Sequence, residues 1–264
     1  ISGVLIRPLL FYSHELIVDL NRIHVYNIIL YSYESIFETR LINLMKTIAI
    51  ILGSTRKNAL GRRLFNYLKQ LTAETTHATT QFTFLDLTNY HLPFFDDPLP
   101  PMANSQRDLQ QARKTAEVFS LPPMANSQRD LPANQQQWLD DIAAADGYIF
   151  LTPEYNHAEP AVLKNALDFL AFEAQHKPAK LISYSDNLRG GQFGAAALVP
   201  ILQRLGIVVL PKPTPVGNVQ ATLQPDGQLI ANAPLASRYR QGLSTALNEI
   251  NYYTTVLTDH PFKA

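Results

Sequence analysis

From Met45 onward the chain alternates short, wholly apolar runs with longer stretches in which apolar residues recur every three or four positions. "TIAIIL" (Thr47 to Leu52) is continuous and apolar, the pattern of a strand covered on both faces. After a polar loop, Leu60, Leu64, Leu68 and Leu71 fall on one face of a helix. "QFTFLDL" (Gln81 to Leu87) reads as a second strand. A helix through "NQQQWLDDIAAA" leads to a third strand, "GYIFLT" (Gly147 to Thr152), and the helix "AVLKNALDFLAF" leads to a fourth, "KLISYS" (Lys180 to Ser185). "AALVPILQRLG" and "IVVLP" supply another helix and a fifth strand. "NVQATLQPDGQLI" predicts a hairpin around Pro225, Asp226 and Gly227, ahead of a closing helix near Leu235 to Val256. Alternation of strand and helix is the mark of βαβ units. The predicted fold is α/β, a doubly wound five-stranded parallel sheet of order 2-1-3-4-5.

Two stretches break this rhythm. Residues 1–44 are rich in Ile, Leu, Tyr and Asn, begin without Met, and alternate short apolar runs without clear punctuation. Met45 and Lys46 stand directly before the first strand, so Met45 is expected to be the natural start and residues 1–44 an upstream extension of uncertain reality. An interaction segment, or an extra strand and helix, is the rival reading. The domain itself is expected to run from 45 to 264. Within it, "LPPMANSQRDL" occurs at Leu99 to Leu109 and again, letter for letter, at Leu121 to Leu131. Two copies are too few for a solenoid. Residues 99–131 therefore read as a loop enlarged by local tandem duplication, either an inserted surface loop or a lid over the active site.

Composition narrows the chemistry. Lys plus Arg and Asp plus Glu number 22 each, so the net charge is zero and no basic stripe advertises nucleic acid or anionic lipid. No apolar run reaches the roughly 18 residues of a membrane span. Neither a nucleic-acid nor a membrane partner is expected. The absence of cysteine excludes disulfides, thiolate metal sites and thiol nucleophiles, and it fits a reducing cytoplasm. The seven His residues form no metal-ligand pair of the HExxH type, so no metal is expected.

Candidate chemistry lies where strands give way to helices, the position at which open α/β sheets bind ligands. "LGSTRKNALGRRL" joins the first strand to the first helix. It has neither GxGxxG nor GxxxxGK[ST], since Gly53 and Gly61 are eight apart. It offers instead the hydroxyls of Ser54 and Thr55 and the guanidinium of Arg56, a set suited to a terminal phosphate monoester. A Ser/Thr-capped helix with solvated cations is the alternative for this loop alone. The third strand ends in "TPEYN", beside that loop at the point where the sheet order reverses. Pro153 stiffens the turn. Glu154, Tyr155 and Asn156 then present N–H groups and polar side chains suited to a flat aromatic ligand, and Pro160 restarts the chain as a helix. Lys164 and Asn165 read as cap and surface residues.

"GSTR", "TPEYNHAEPAVLKNALDFL" and "SYSDNLRGGQFGAAALVPILQRLG", in that order, resemble the NAD(P)H-dependent FMN reductase family of flavodoxin-like proteins. "LPFFDDPLPP" and Trp138 fit one branch of it. The resemblance runs from about Met45 to Pro211. It implies that Ser54 and Arg56 bind the FMN phosphate, with Thr55 beside them and backbone help near Leu60 and Gly61. Pro153, Glu154, Tyr155 and Asn156 would contact the isoalloxazine, and the loop from Ser185 through Gly190 and Gly191 would close its other side. Branch members usually carry Gly at the position of Ser185 and lack the extra 22 residues. The implied cofactors are FMN and NADPH or NADH. The implied reaction passes hydride from the nicotinamide to FMN and on to a small-molecule electron acceptor: a quinone, an azo compound, an oxyanion or free flavin. No side-chain general base is needed, and a backbone N–H near Tyr155 to Asn156 would steady the reduced ring. His157 is a rim residue or a proton donor; Glu154 is an acid or an acceptor of hydrogen bonds. Arg62 and Arg63 either meet the 2′-phosphate of NADPH or form a solvated face. The resemblance further implies a homodimer or homotetramer with the flavin at the contact. A flavodoxin-type electron carrier, or a silent flavin-binding protein, is the alternative, and zero net charge argues against the carrier.

Overall fold

The computed structural model describes residues 45–74, 79–96, 101 and 131–262. Residues 1–44 and nearly all of the duplicated stretch 99–131 lie outside them. The element order is β1 (Lys46–Leu52), α1 (Leu60–Glu74), β2 (Thr80–Asp86), a short 3-10 turn (Leu87–Asn89), α2 (Ala133–Ala144), β3 (Gly147–Pro153), α3 (Ala161–Asp168), β4 (Pro178–Tyr184), α4 (Gln192–Arg204), β5 (Val208–Val209), β6 (Thr214–Val216), α5 (Val219–Thr222) and α6 (Ala236–Asp259).

The strands pair in parallel in the order β2-β1-β3-β4-β5, as the pattern predicts, with β6 also on β4. The register of β1 on β3 sets Leu52 opposite Leu151, which brings the loops after both strands to one edge of the sheet. β3 and β4 are buried along their whole length, which explains the apolar run of β3, while the buried Lys180 of β4 is paired with Glu249 at 2.5 Å. Alternate residues feed two cores. Ile48, Ile50 and Leu52 pack with Leu64, Leu68 and Leu71 of α1 and Leu243, Leu247 and Ile250 of α6. Ala49 and Ile51 face the opposite side, with Trp138 and Ile142 of α2, Leu163 and Leu167 of α3, and Leu198 and Leu202 of α4. The result is three layers, helix on sheet on helix.

Two predicted elements differ. The fifth strand shrinks to Val208–Val209, and Thr214–Val216 takes over the carboxyl half of β4, giving a sheet of six strands. Pro211 and Pro213 lack the N–H groups a longer strand would use, and Pro215 is tolerated because β6 lies at the edge. The predicted hairpin is only a hairpin tip. Asn218, at φ 55°, starts the single turn α5, and antiparallel pairing is confined to the Leu223–Leu229 bridge around Gly227. Burial of Val219 and Leu223 on the α1 side favours that turn over a strand.

Candidate functional site

The loop between β1 and α1 begins at Gly53, whose N–H donates to Leu151 O at 2.9 Å. Ser54 is buried, Thr55 half-buried and Arg56 exposed. Ala59 N–H donates to Arg56 O at 3.0 Å, which turns the chain into α1. Among the described residues the N–H groups of Thr55, Arg56, Lys57 and Asn58 make no hydrogen bond. No acidic residue stands in the first turn of α1. A run of free donors at a helix N-terminus, flanked by hydroxyls and a guanidinium, is built for an anion. Leu60 and Gly61 open the helix. An added Cβ on Gly61 would meet Tyr184 Oη at 2.2 Å, so this position admits only glycine without rearrangement.

The loop after β3 reaches the same place. Tyr155 N–H donates to Ala158 O at 2.9 Å and Ala158 N–H returns the bond to Tyr155 O at 3.1 Å. The two residues between, Asn156 at φ 51° and His157 at φ 63°, are both left-handed, the signature of a type I′ turn. Asn tolerates that conformation well. The Tyr155 N–H expected to serve a ligand is therefore engaged, and the donors left at the tip belong to Asn156 and His157. Tyr155 and Ser54 share a hydrogen bond between hydroxyls at 3.1 Å, and the Arg56 guanidinium lies 5.7 Å from the centre of the Tyr155 ring. The structure thus brings "GSTR" and "TPEYN" together through their side chains.

The third loop follows β4. Gly191, at φ 68°, precedes α4, and a Cβ there would come within 2.6 Å of Tyr184 O. Gly190 is left-handed too. The Ser185 hydroxyl folds back on its own loop, 3.0 Å from both Asn187 O and Asn187 Oδ1. Where branch members carry Gly, this chain therefore spends no hydroxyl outward. Glu154 accepts from Phe193 N–H at 3.1 Å, and the His157 and Phe193 rings stack 4.7 Å apart. Glu154 is thus an acceptor that ties the second loop to the third, and His157 sits exposed at the rim. Pro153, buried at the end of β3, is approached by α4 so closely that a Cβ on Gly194 would lie 2.5 Å from its carbonyl.

Neighbouring residues take other roles than the sequence suggested. Arg62 pairs with Asp86 at 2.6 Å and reaches Thr88, and Arg63 donates to Leu223 O at 2.8 Å. Neither guanidinium is a solvated face, and both brace α1 against the loops beside it. Burial alone would raise the Asp86 carboxyl. Hydrogen bonds from Thr88 and the Arg62 guanidinium outweigh it and hold the group below its ordinary value. Asn165 is a clamp rather than a surface residue: it accepts from Phe95 N–H and donates to Pro93 O, each at 2.8 Å, and so fixes the "LPFF" loop. Lys164 pairs with Asp168. Trp138 is fully buried, with its indole N–H on Ala166 O at 2.8 Å. Sequence reasoning missed Tyr184, whose buried hydroxyl has no hydrogen-bond partner. The signal was present, a polar tip at the last position of a buried strand beside the loop.

Residues 45–221 match the family of NADPH-dependent FMN reductases. The chain belongs to that family. It is an FMN-dependent NAD(P)H oxidoreductase. Among curated relatives, the chain is 28% identical over 172 residues to an NAD(P)H-dependent FMN reductase of Schizosaccharomyces pombe, covering 65% of this chain and 73% of that one. It is 42% identical over 103 residues to an NADPH azoreductase of a Bacillus species, covering 39% and 45% respectively. A solved flavoenzyme NAD(P)H:(acceptor) oxidoreductase from Paracoccus denitrificans shares the fold, with TM-score 0.55, 23% identity, and coverage of 79% of this chain and 99% of that one. The residues present fit the cofactor: an acceptor-only phosphate calls for donors, and the start of α1 offers free N–H groups, the Ser54 and Thr55 hydroxyls and the Arg56 cation.

Proposed function

We propose that the phosphate of FMN is held by Ser54, Thr55 and Arg56 with the backbone at Leu60 and Gly61. Pro153, Glu154, Tyr155 and Asn156 line one edge of the ring system, and Ser185, Gly190 and Gly191 close the other. The observation that carries this reading is the cluster of free N–H groups at the start of α1, joined through Ser54 to Tyr155 of the second loop. FMN, when bound, supplies the acceptance of hydride and its onward delivery. The chain supplies placement. Arg56 neutralises the phosphate charge. The Asn156 and His157 N–H groups, left without backbone partners in a turn closed by the two Tyr155–Ala158 bonds, are available to negative charge on the ring edge. Glu154 keeps the second and third loops at a fixed spacing through Phe193.

The acceptor is small. The quinone reductase and azoreductase names among the relatives support a quinone or an azo compound as the acceptor class. The exposed Phe94 and Leu188 on loops and Phe193 in the first turn of α4 suit a flat apolar acceptor or a second copy of the chain packed across the site. A homodimer or homotetramer working in the cytoplasm is the corresponding cellular form. No helix among the described residues is long and apolar enough to cross a membrane.

The test is flavin binding by Arg56→Ala. Loss of a charged hydrogen-bonding partner is expected to weaken FMN roughly 10- to 100-fold, with riboflavin binding unchanged. Equal FMN affinity in the variant and the wild type would remove Arg56 from the site.

A further inference from the structure

Tyr184 closes β4, and its ring runs beneath the first turn of α1. The phenol is enclosed at 2% exposure and its oxygen has no hydrogen-bond partner. Buried hydroxyls are normally satisfied, so an orphan at the floor of a ligand loop marks a partner, or an orientation of one, that arrives with the ligand. The surroundings are polar on one side. A Cβ on Gly61 would lie 2.2 Å from Oη, which sets the hydroxyl against the helix backbone where the phosphate loop becomes α1. The Ser54 hydroxyl lies close enough to act on it as a hydrogen-bonding neighbour, and Tyr155, Arg56 and Arg62 act on it through their charge.

Ser54 and Tyr155 share one hydrogen bond in which either oxygen can donate. A serine has a single proton and two lone pairs. A phosphate only accepts, so once it is bound the Ser54 proton points to it and the Ser54 lone pairs face inward. The donor waiting on that inner side is Tyr184. Burial, with Tyr155 adding to it, raises this phenol above its ordinary value against the opposing effects of Ser54, Arg56 and Arg62, and keeps it a neutral donor.

We propose that Tyr184 is a positioning residue for the cofactor phosphate: its hydroxyl donates to Ser54 Oγ, turns the Ser54 proton outward, and so favours FMN over riboflavin. This rests on the assignment of residues 53–61 as the phosphate site.

The experiment is a fluorescence titration of FMN-free protein with FMN and with riboflavin, for the wild type, Tyr184→Phe, Ser54→Ala and the double variant. Tyr184→Phe is expected to weaken FMN roughly three- to tenfold, the effect of one hydrogen bond in a short chain, and to leave riboflavin alone. The FMN-free melting temperature is expected to change little, because the Tyr184 hydroxyl makes no well-formed hydrogen bond there. In the Ser54→Ala background the second substitution is expected to add nothing. Unchanged FMN affinity, an equal loss for riboflavin, or a full extra loss in the Ser54→Ala background would each overturn the role of Tyr184. A wild-type protein that binds neither flavin would overturn the phosphate site itself, and the inference with it.

Discussion

Gly61→Ala sets two well-characterised effects against each other. In the interior of an exposed helix the change to alanine would stabilise by about 1 kcal/mol, through the lower backbone entropy of the unfolded chain. Here the new methyl would lie 2.2 Å from Tyr184 Oη, 2.4 Å from Tyr184 Cζ and 2.9 Å from Leu52 Cδ1. Neither neighbour has room to retreat, since Leu52 is fully buried and Tyr184 is 2% exposed. Overpacking of this kind costs about 1–3 kcal/mol, and contacts this short fall at the upper end. The difference is a net loss of about 1–2 kcal/mol, a fall of roughly 2–8 °C in melting temperature for a domain of this size. Urea unfolding of the FMN-free protein measures it through the fluorescence of Trp138, which is the single tryptophan and is fully buried. Adding Tyr184→Phe removes the nearest atom but leaves Cζ in place, so the double variant is expected to recover only part of the loss. A Gly61→Ala protein as stable as the wild type, or more so, would refute the packing of α1 on Tyr184.

Asp86 is held below its ordinary value, so its contribution is complete above the unfolded carboxyl range near pH 3.9 and is lost as pH falls through the lower folded value. Asp86→Asn is expected to cost about 1–2 kcal/mol at neutral pH, a difference that shrinks as pH falls through the lowered folded value, as read by urea midpoints at successively lower pH. Lys177 is pushed down to about 8 by burial, with Asp146 and Glu173 opposing. Between that value and the unfolded lysine range near 10.4, the unfolded chain holds the extra proton, so stability rises with pH. Lys177→Met is expected to remove this rise in the same midpoints measured from about pH 8 to 9, the interval below the titration of unfolded tyrosines near 10.

The sheet was legible because burial on both faces writes itself into composition: β1 and β3 are unbroken apolar runs, and the helical spacing of Leu60, Leu64, Leu68 and Leu71 turns toward the same core. The loops that form the site were legible through residue types. Proline ends β3, and hydroxyls with a guanidinium stand before α1. What escaped depends on contacts between distant segments. β6 is three residues with a central proline, and only its place at an edge beside β4 makes it a strand. Arg62 and Arg63 look solvated until the chain returns Asp86 and Leu223 to their side. The type I′ geometry of Asn156 and His157 was carried by an Asn at the turn, a signal weaker than the Asn-Gly pair that usually announces it. Tyr184 is one of several aromatic residues in strands until Gly61 is seen to open a space for its hydroxyl.

The most direct measurement is the visible absorbance spectrum of the purified protein loaded with FMN, before and after NADPH is added without oxygen. A bound flavin spectrum that bleaches on addition, and returns with a quinone or an azo compound, is the expected result and joins cofactor, hydride donor and acceptor in one cuvette. Protein that takes up no FMN, or FMN-loaded protein whose spectrum NADPH leaves unchanged, would contradict the assignment of the three loops to a working flavin site.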